Sequence, residues 1–220
     1  MKTILVTGFE PFGGESLNPS EEIARALHGR EVAGHQVVGA LLPCVFGEAI
    51  KELKHLLKAH APVLVVCLGQ AGGRAEITPE RVAINIDDAR IPDNAGQQPI
   101  DKPIVKAGPA AYWSTLPIKA IVQELRKHHF PAAVSQTAGT FVCNHVFYGL
   151  MHALREQDKV RGGFIHVPFL PEQVEAQTAA TGAPAPPSLP FAKMTAGIEL
   201  ALDTAIKYRR DIRKAGGATS

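Results

Sequence analysis

Cys143 is the residue in this 220-residue chain with the strongest chemical potential, and its surroundings decide whether it is used. A free cysteine is among the most buried residue types, so type alone favours a packing role. Position argues otherwise. The stretch TAGTFVCNHVFYGLMH (137–152) leaves a strand through a glycine, and Val146, Phe147, Leu150, Met151 and Leu154 then form one helical stripe. The spacing predicts a helix over 143–157 with Cys143 in its first turn. There the helix dipole and free backbone N–H groups favour a thiolate, taking the thiol from about 8.5 toward about 3.5–7.5. The same N–H groups can hold an oxyanion. Cys67 lies inside the apolar run PVLVVCLG (62–69) and reads as core, and Cys44 has no comparable setting.

A nucleophilic thiol needs a base, and the chain carries nine histidines. His28, His35, His55, His60, His128, His129 and His152 fall on or beside segments that read as solvated. His145 is two residues from Cys143, and positions i and i+2 of a helix do not face each other. His166 differs: it sits within the apolar strand FIHVPFL, where a solvated histidine does not belong. A third group would orient the imidazole. Glu80, Asp87, Asp88 and Asp93 are candidates, and spacing does not choose among them.

The elements that must bring these residues together alternate in type. TILVTGF (3–9), HQVVGALLP (35–43), PVLVVCLG (62–69), AAVSQTAG (132–139) and GGFIHVPFL (162–170) read as strands. RVAINIDDAR (81–90) alternates apolar and polar residues and predicts an edge or antiparallel strand. Helices are expected from Asn18-Pro19, with a capping-box-like start at Glu21, to about Gly29, then over 47–60, 114–129, 143–157 and 189–213. The last is closed by the cationic KYRRDIRK (207–214). AQTAATGAPAPPS (176–188) reads as a loose surface loop.

Alternation of this kind predicts an α/β fold: one domain over 1–220, a three-layer α/β/α sandwich with a largely parallel sheet and a loose tail over 211–220. In such sheets ligands bind beyond the carboxyl ends of the strands, so loops 8–17, 69–80 and 139–142 should meet near the end of FIHVP.

Composition narrows the class. With 45% hydrophobic and 20% charged residues, the chain reads as a folded globular domain. A net charge of +2 with scattered basic residues argues against nucleic-acid binding. The apolar core of the first residues, Ile4 to Val6, is too short for a signal peptide, and no membrane span is expected. Three distant cysteines without CxxC spacing predict neither disulfides nor a zinc site, consistent with a reduced, cytoplasmic protein that needs no metal or cofactor.

Four stretches, TGFEPFGG…NPS, TPERVAIN.DDARIPDN, SQTAGTFVCNH and GGFIHVPFLPEQ, resemble the signatures of the pyrrolidone carboxyl peptidases, the type I pyroglutamyl peptidases. The resemblance spans about residues 1–210. It implies a metal-independent cytosolic cysteine peptidase that removes N-terminal pyroglutamate from peptides and is commonly a homotetramer. Its catalytic triad would map onto Glu80, Cys143 and His166. Phe9, Phe12 and Phe141 would form an apolar pocket wall. Asn18 and Gln70 would hydrogen-bond the lactam, Gln70 through its backbone, and Arg90 would stand near the site in support. A competing reading from another class is a phosphate-handling α/β protein, purine-phosphorylase-like, with an anion at GGESLNPS. A third is a non-catalytic binding module.

Overall fold

The apolar run at the amino terminus forms strand β1, Thr3–Phe9, with every residue after Thr3 buried. It is one of four parallel strands in a computed structural model that describes residues 2–217. In chain order there follow α1 (Pro19–Leu27), β2 (Glu31–Val32), β3 (His35–Leu42), α2 (Glu48–His60) and β4 (Leu64–Gln70). Next come β5 (Thr78–Pro79), β6 (Val82–Ile84), β7 (Ala111–Trp113), α3 (Ile118–Lys127) and α4 (Val142–Leu154). The chain ends with β8 (Arg161–Val167), α5 (Pro171–Thr181) and α6 (Phe191–Lys207).

The main sheet runs β2-β3-β1-β4-β8-β5. Strands β3, β1, β4 and β8 are parallel, and the short β2 and β5 close its two edges antiparallel. Because side chains alternate along a strand, β1 feeds two cores. Ile4 and Val6 join Ile23 and Leu27 of α1, Ile121 and Leu125 of α3, and Ile198 and Leu202 of α6 on one face. Leu5 joins Leu53 of α2 and Val146, Phe147 and Leu150 of α4 on the other. The result is the expected α/β/α layering with a largely parallel sheet. Close approach of α1 depends on glycine: a Cβ at Gly8 would overlap the Ser20 carbonyl.

Several expected boundaries differ, each for a local reason. Residues 132–139 lie parallel to 77–81 and exchange Ile77 N–H to Pro131 O, Ala133 N–H to Ile77 O, Ser135 N–H to Pro79 O and Arg81 N–H to Ser135 O. The middle bond of this ladder would need an N–H from Pro79, which has none, so only isolated bridges form at Ile77–Ala132 and Glu80–Ser135. Of the strand expected over 81–90, only β6 forms, paired antiparallel with β7 in a separate two-stranded sheet. No strand is expected at β7 from the sequence, and it forms only through this pairing. Residues 171–181, partly assigned to a loop, form α5, which Gly182 ends at φ +67°.

Helix α6 stops at Lys207, so most of the basic cluster lies beyond it. The segment 211–217, expected as a loose tail, has no regular secondary structure but is tied down. Asp211 accepts from the Lys119 and Ala120 N–H groups at the start of α3, and the Gly216 carbonyl accepts from Arg81 and Gln136. Residues 218–220 of that expected tail lie outside the described residues. Among the described residues no helix is long and apolar enough to cross a membrane.

Candidate active site

Strand register builds the site. Parallel pairing of β4 with β8 sets Gly69 beside His166, and antiparallel pairing of β5 with β8 sets Thr78 beside the same histidine. Glu80 leaves β5 with its N–H on the Phe164 carbonyl at 2.9 Å. Its side chain is fully buried, and Oε1 lies 2.7 Å from His166 Nδ1. A carboxylate is an acceptor, so the imidazole proton sits on Nδ1, and Nε2 is left as the basic nitrogen.

Cys143 reaches this point from α4, in whose first turn it lies. Its Sγ is 2.8 Å from where a Cβ on Gly69 would be. The missing side chain of Gly69, the strand neighbour of His166, thus makes the room that the thiol occupies on the face shared with the histidine. Phe141 at the cap position of α4 provides no side-chain cap, so the first N–H groups of the helix have no acceptor within it. Gly139, at φ +74°, turns the chain into this helix start.

Electrostatics alters one expectation. Burial pushes the Cys143 thiol well above its ordinary value, Cys44 and Glu80 push it further, and Arg74 opposes them. Desolvation is the largest of these influences and favours the neutral thiol, against the thiolate expected from the helix start. Burial likewise holds His166 below its ordinary value, against the hydrogen bond and charge of Glu80 and with the help of Arg74. Both shifts favour the neutral forms, a thiol at Cys143 and an imidazole at His166. Cys44 and Cys67 are also buried, their thiols pushed up to about 12 mainly by desolvation.

The remaining acids divide cleanly. Asp87 is buried with His145, whose Nδ1 lies 2.9 Å from Asp87 Oδ2 and whose Nε2 accepts the Gly47 N–H at 2.9 Å. Both nitrogens of His145 are occupied, so it does not serve Cys143. Asp93 accepts from Phe46, Ala95 and Gln97 N–H groups, and Asp88 is exposed. Glu80 alone among the four contacts His166.

Aromatic residues gather at the same end of the sheet. Phe12 and Phe141 are half-buried with ring centres 5.8 Å apart, and Phe46 packs edge-on to Phe141 at 5.4 Å. Phe9 lies deeper, buried against Phe164 at 6.3 Å. Asn18 caps α1: Oδ1 accepts from the Ser20 N–H and hydroxyl, and Nδ2 donates to the Glu10 carbonyl. The carboxylate of Glu21, expected to close a capping box, instead pairs with Arg25. With the α1 start capped by its own side chain, an anion at GGESLNPS finds no free helix terminus. The Gln70 side chain accepts from Gln173 at 2.9 Å. Arg90 is exposed and makes no ion pair among the described residues.

Sequence reasoning missed four contributors. Arg74 donates to Glu80 Oε1 at 2.7 Å, and its place in the Gly-rich loop GQAGGR, six residues before Glu80, was the available signal. Asn144 is fully buried and pins α4 to β6 through Ile84 N–H and the Ile84 and Ile86 carbonyls. Phe46 and the His145–Asp87 pair join loops far apart in sequence, and nothing local announced them. No group of three or more His, Cys, Asp or Glu suited to a metal is found among the described residues.

Comparison with known proteins places this arrangement in context. A family profile described as Pyroglutamyl peptidase matches residues 2–208. The chain is 54% identical over 220 residues to the pyrrolidone-carboxylate peptidase of Bacillus cytotoxicus, covering all of both chains. Its fold matches the crystal structure of pyroglutamyl peptidase I from Bacillus amyloliquefaciens with a TM-score of 0.91 at 48% identity, covering 97% of this chain and 99% of that one. Pyrrolidone carboxyl peptidase from Thermococcus litoralis matches with a TM-score of 0.93 at 41% identity, covering 98% and 100%.

Proposed function

The chain belongs to the pyroglutamyl peptidase family of cysteine hydrolases, and on that premise we propose that it releases N-terminal pyroglutamate by acyl transfer through Cys143, His166 and Glu80. The observation that carries this reading is the 2.7 Å contact of Glu80 Oε1 with His166 Nδ1, beside the glycine that makes room for the Cys143 thiol.

Since burial favours the neutral pair, His166 Nε2 takes the thiol proton as Sγ attacks the pyroglutamyl carbonyl, not beforehand. The oxyanion lies against the free N–H groups at the start of α4. As the tetrahedral intermediate collapses, the C–N bond breaks and the imidazolium returns its proton to the leaving amine. Water, deprotonated by the same nitrogen, then hydrolyses the thioester and restores the thiol. Glu80 holds the ring in the Nδ1–H tautomer and stabilises the imidazolium.

Pyroglutamate is a neutral lactam with a flat apolar ring, one donor and one acceptor. Phe12, Phe46 and Phe141 supply apolar walls, with Phe9 behind them. Because the Gln70 side chain is held by Gln173, its contribution is through the backbone. The Asn18 carboxamide holds the Glu10–Ser20 loop, and the second hydrogen of Nδ2 is its means of reaching the lactam. Arg90 acts only from the rim. A homotetramer in the cytoplasm is the expected setting. Ile100 (71% exposed) and Trp113 (69%) are the apolar surface that subunit contacts would cover, which light scattering of the wild type and a Trp113→Lys variant would test.

The test of the function is a pair of chromogenic amides, one pyroglutamyl and one glutaminyl. The free α-amine of the second would enter an apolar pocket as an unpaired charge. Cleavage of the first alone, abolished in Cys143→Ser, supports the reading. Equal cleavage of both would end it.

A further inference from the structure

We propose that Arg74 is a positioning residue of this site, which holds Glu80 through one oxygen so that the imidazole of His166 stays aimed at Cys143. This role presupposes the Glu80–His166–Cys143 reading above and extends it to a residue that touches neither the thiol nor the substrate.

Glu80 is completely buried, and its two contacts converge on one atom. Oε1 receives Arg74 Nη1 at 2.7 Å and His166 Nδ1 at 2.7 Å, while Oε2 has no hydrogen-bond partner among the described residues. A buried carboxylate without a cation takes up a proton rather than remain charged. Burial favours the neutral form of His166. Arg74 is the cation that remains.

Arg74 is itself fixed from three directions. The second hydrogen of Nη1 goes to Thr78 Oγ1 of β5 at 2.8 Å, and Nη2 donates to the Thr137 carbonyl at 2.9 Å. Thr137 belongs to the segment that leads into α4 and Cys143. The guanidinium thus ties the acid, the strand beside His166 and the approach to the nucleophile into one unit. The planar fork of arginine can do this where the point charge of lysine makes fewer directed bonds.

The charge has a second consequence. Around Glu80 stand His166 from β8 and Arg74 from the Gly-rich loop, both on Oε1, with Thr78 of β5 bonded to the same Arg74, the Ser135 backbone beside Glu80 and the Cys143 thiol of α4 near enough to feel its charge. Within this set Arg74 opposes protonation of His166, so the imidazolium formed during attack remains acidic enough to protonate the leaving amine. Without Arg74, a more basic His166 would be protonated, and the base silenced, at higher pH.

The experiment compares kcat and kcat/KM as functions of pH for wild type, Arg74→Gln, Arg74→Lys and Glu80→Gln, with thermal midpoints as the folding check. Arg74→Gln should lose at least about tenfold in kcat. Its acid limb of kcat/KM should move upward by about 1–3 pH units. Arg74→Lys should keep the acid limb near that of wild type, since the charge remains, with kcat reduced. Arg74→Gln with the wild-type kcat and acid limb would overturn the proposal, as would an acid limb in Arg74→Lys displaced as far as in Arg74→Gln. If Arg74→Gln does not fold, the position of the limb in Arg74→Lys decides. Full activity in Glu80→Gln would instead overturn the triad reading. An inactive Glu80→Gln with an unaffected Arg74→Gln would remove only the role of Arg74.

Discussion

In the proposed triad, burial sets the resting protonation of two members, His166 and Cys143. His166 is depressed by desolvation, so the folded state keeps it neutral where an unfolded histidine, near 6.5, begins to bind a proton. The sign follows: its contribution to stability is present above about pH 6.5 and is lost as pH falls below that value. The thiol is shifted the other way, so alkylation of Cys143 by iodoacetamide should keep accelerating past the ordinary thiol value of about 8.5. A plateau beginning near pH 6 would instead indicate a preformed thiolate. Glu80→Gln cannot accept the imidazole proton in the same way, and kcat should fall by about 10²–10⁴-fold with KM little changed, read from steady-state kinetics.

At the scale of elements, Gly69 links β4 to the nucleophile. Alanine there would put a methyl group 2.8 Å from the Cys143 Sγ and 2.8 Å from Phe164 Cζ, so one of them must move. Gly69→Ala should cost about 1–3 kcal/mol in stability. It should also cost up to about 10²-fold in kcat, because small misplacements of a nucleophile are expensive. Thermal unfolding and steady-state kinetics check the two parts. The helix that carries Cys143 and the strand that carries His166 were legible in the sequence because their signals are local: a helical stripe, a buried apolar run, a histidine out of place. Strand β5, which leads to Glu80, fell in an expected loop. Glu80 could not be chosen over Asp87 by spacing, since only the β5–β8 register puts it on His166. The His145–Asp87 pair was invisible for the same reason, being a contact across a long sequence separation, whereas Arg74 lies six residues from Glu80 and only its direction toward that carboxylate was unreadable. The bridge at 132–139 failed as a strand because one proline on its partner removes one donor.

The whole molecule stores three thiols in its second core. Cys44 and Cys67 are pushed up to about 12 and Cys143 is also raised, while unfolded thiols ionise near 8.5. Above that value the unfolded chain releases protons that the folded chain keeps, so stability falls as pH rises, by up to about 1.4 kcal/mol per thiol per pH unit. Thermal midpoints between pH 8 and 11 under reducing conditions should fall, with a shallower slope in Cys67→Ala than in wild type. The carboxyl-terminal segment contributes at this scale as well. Asp211 caps α3 from 91 and 92 residues away, and Asp211→Ala should cost about 1 kcal/mol without changing kcat.

The central claim is that the pyroglutamyl group passes through a thioester on Cys143. Acid quenching during turnover, followed by intact-mass measurement and peptide mapping, tests it most directly. The predicted result is a mass increase of one pyroglutamyl group on the peptide containing Cys143, absent in Cys143→Ser. Steady turnover with no adduct on that peptide, or with an adduct on the peptide containing Cys44 or Cys67, would contradict the account.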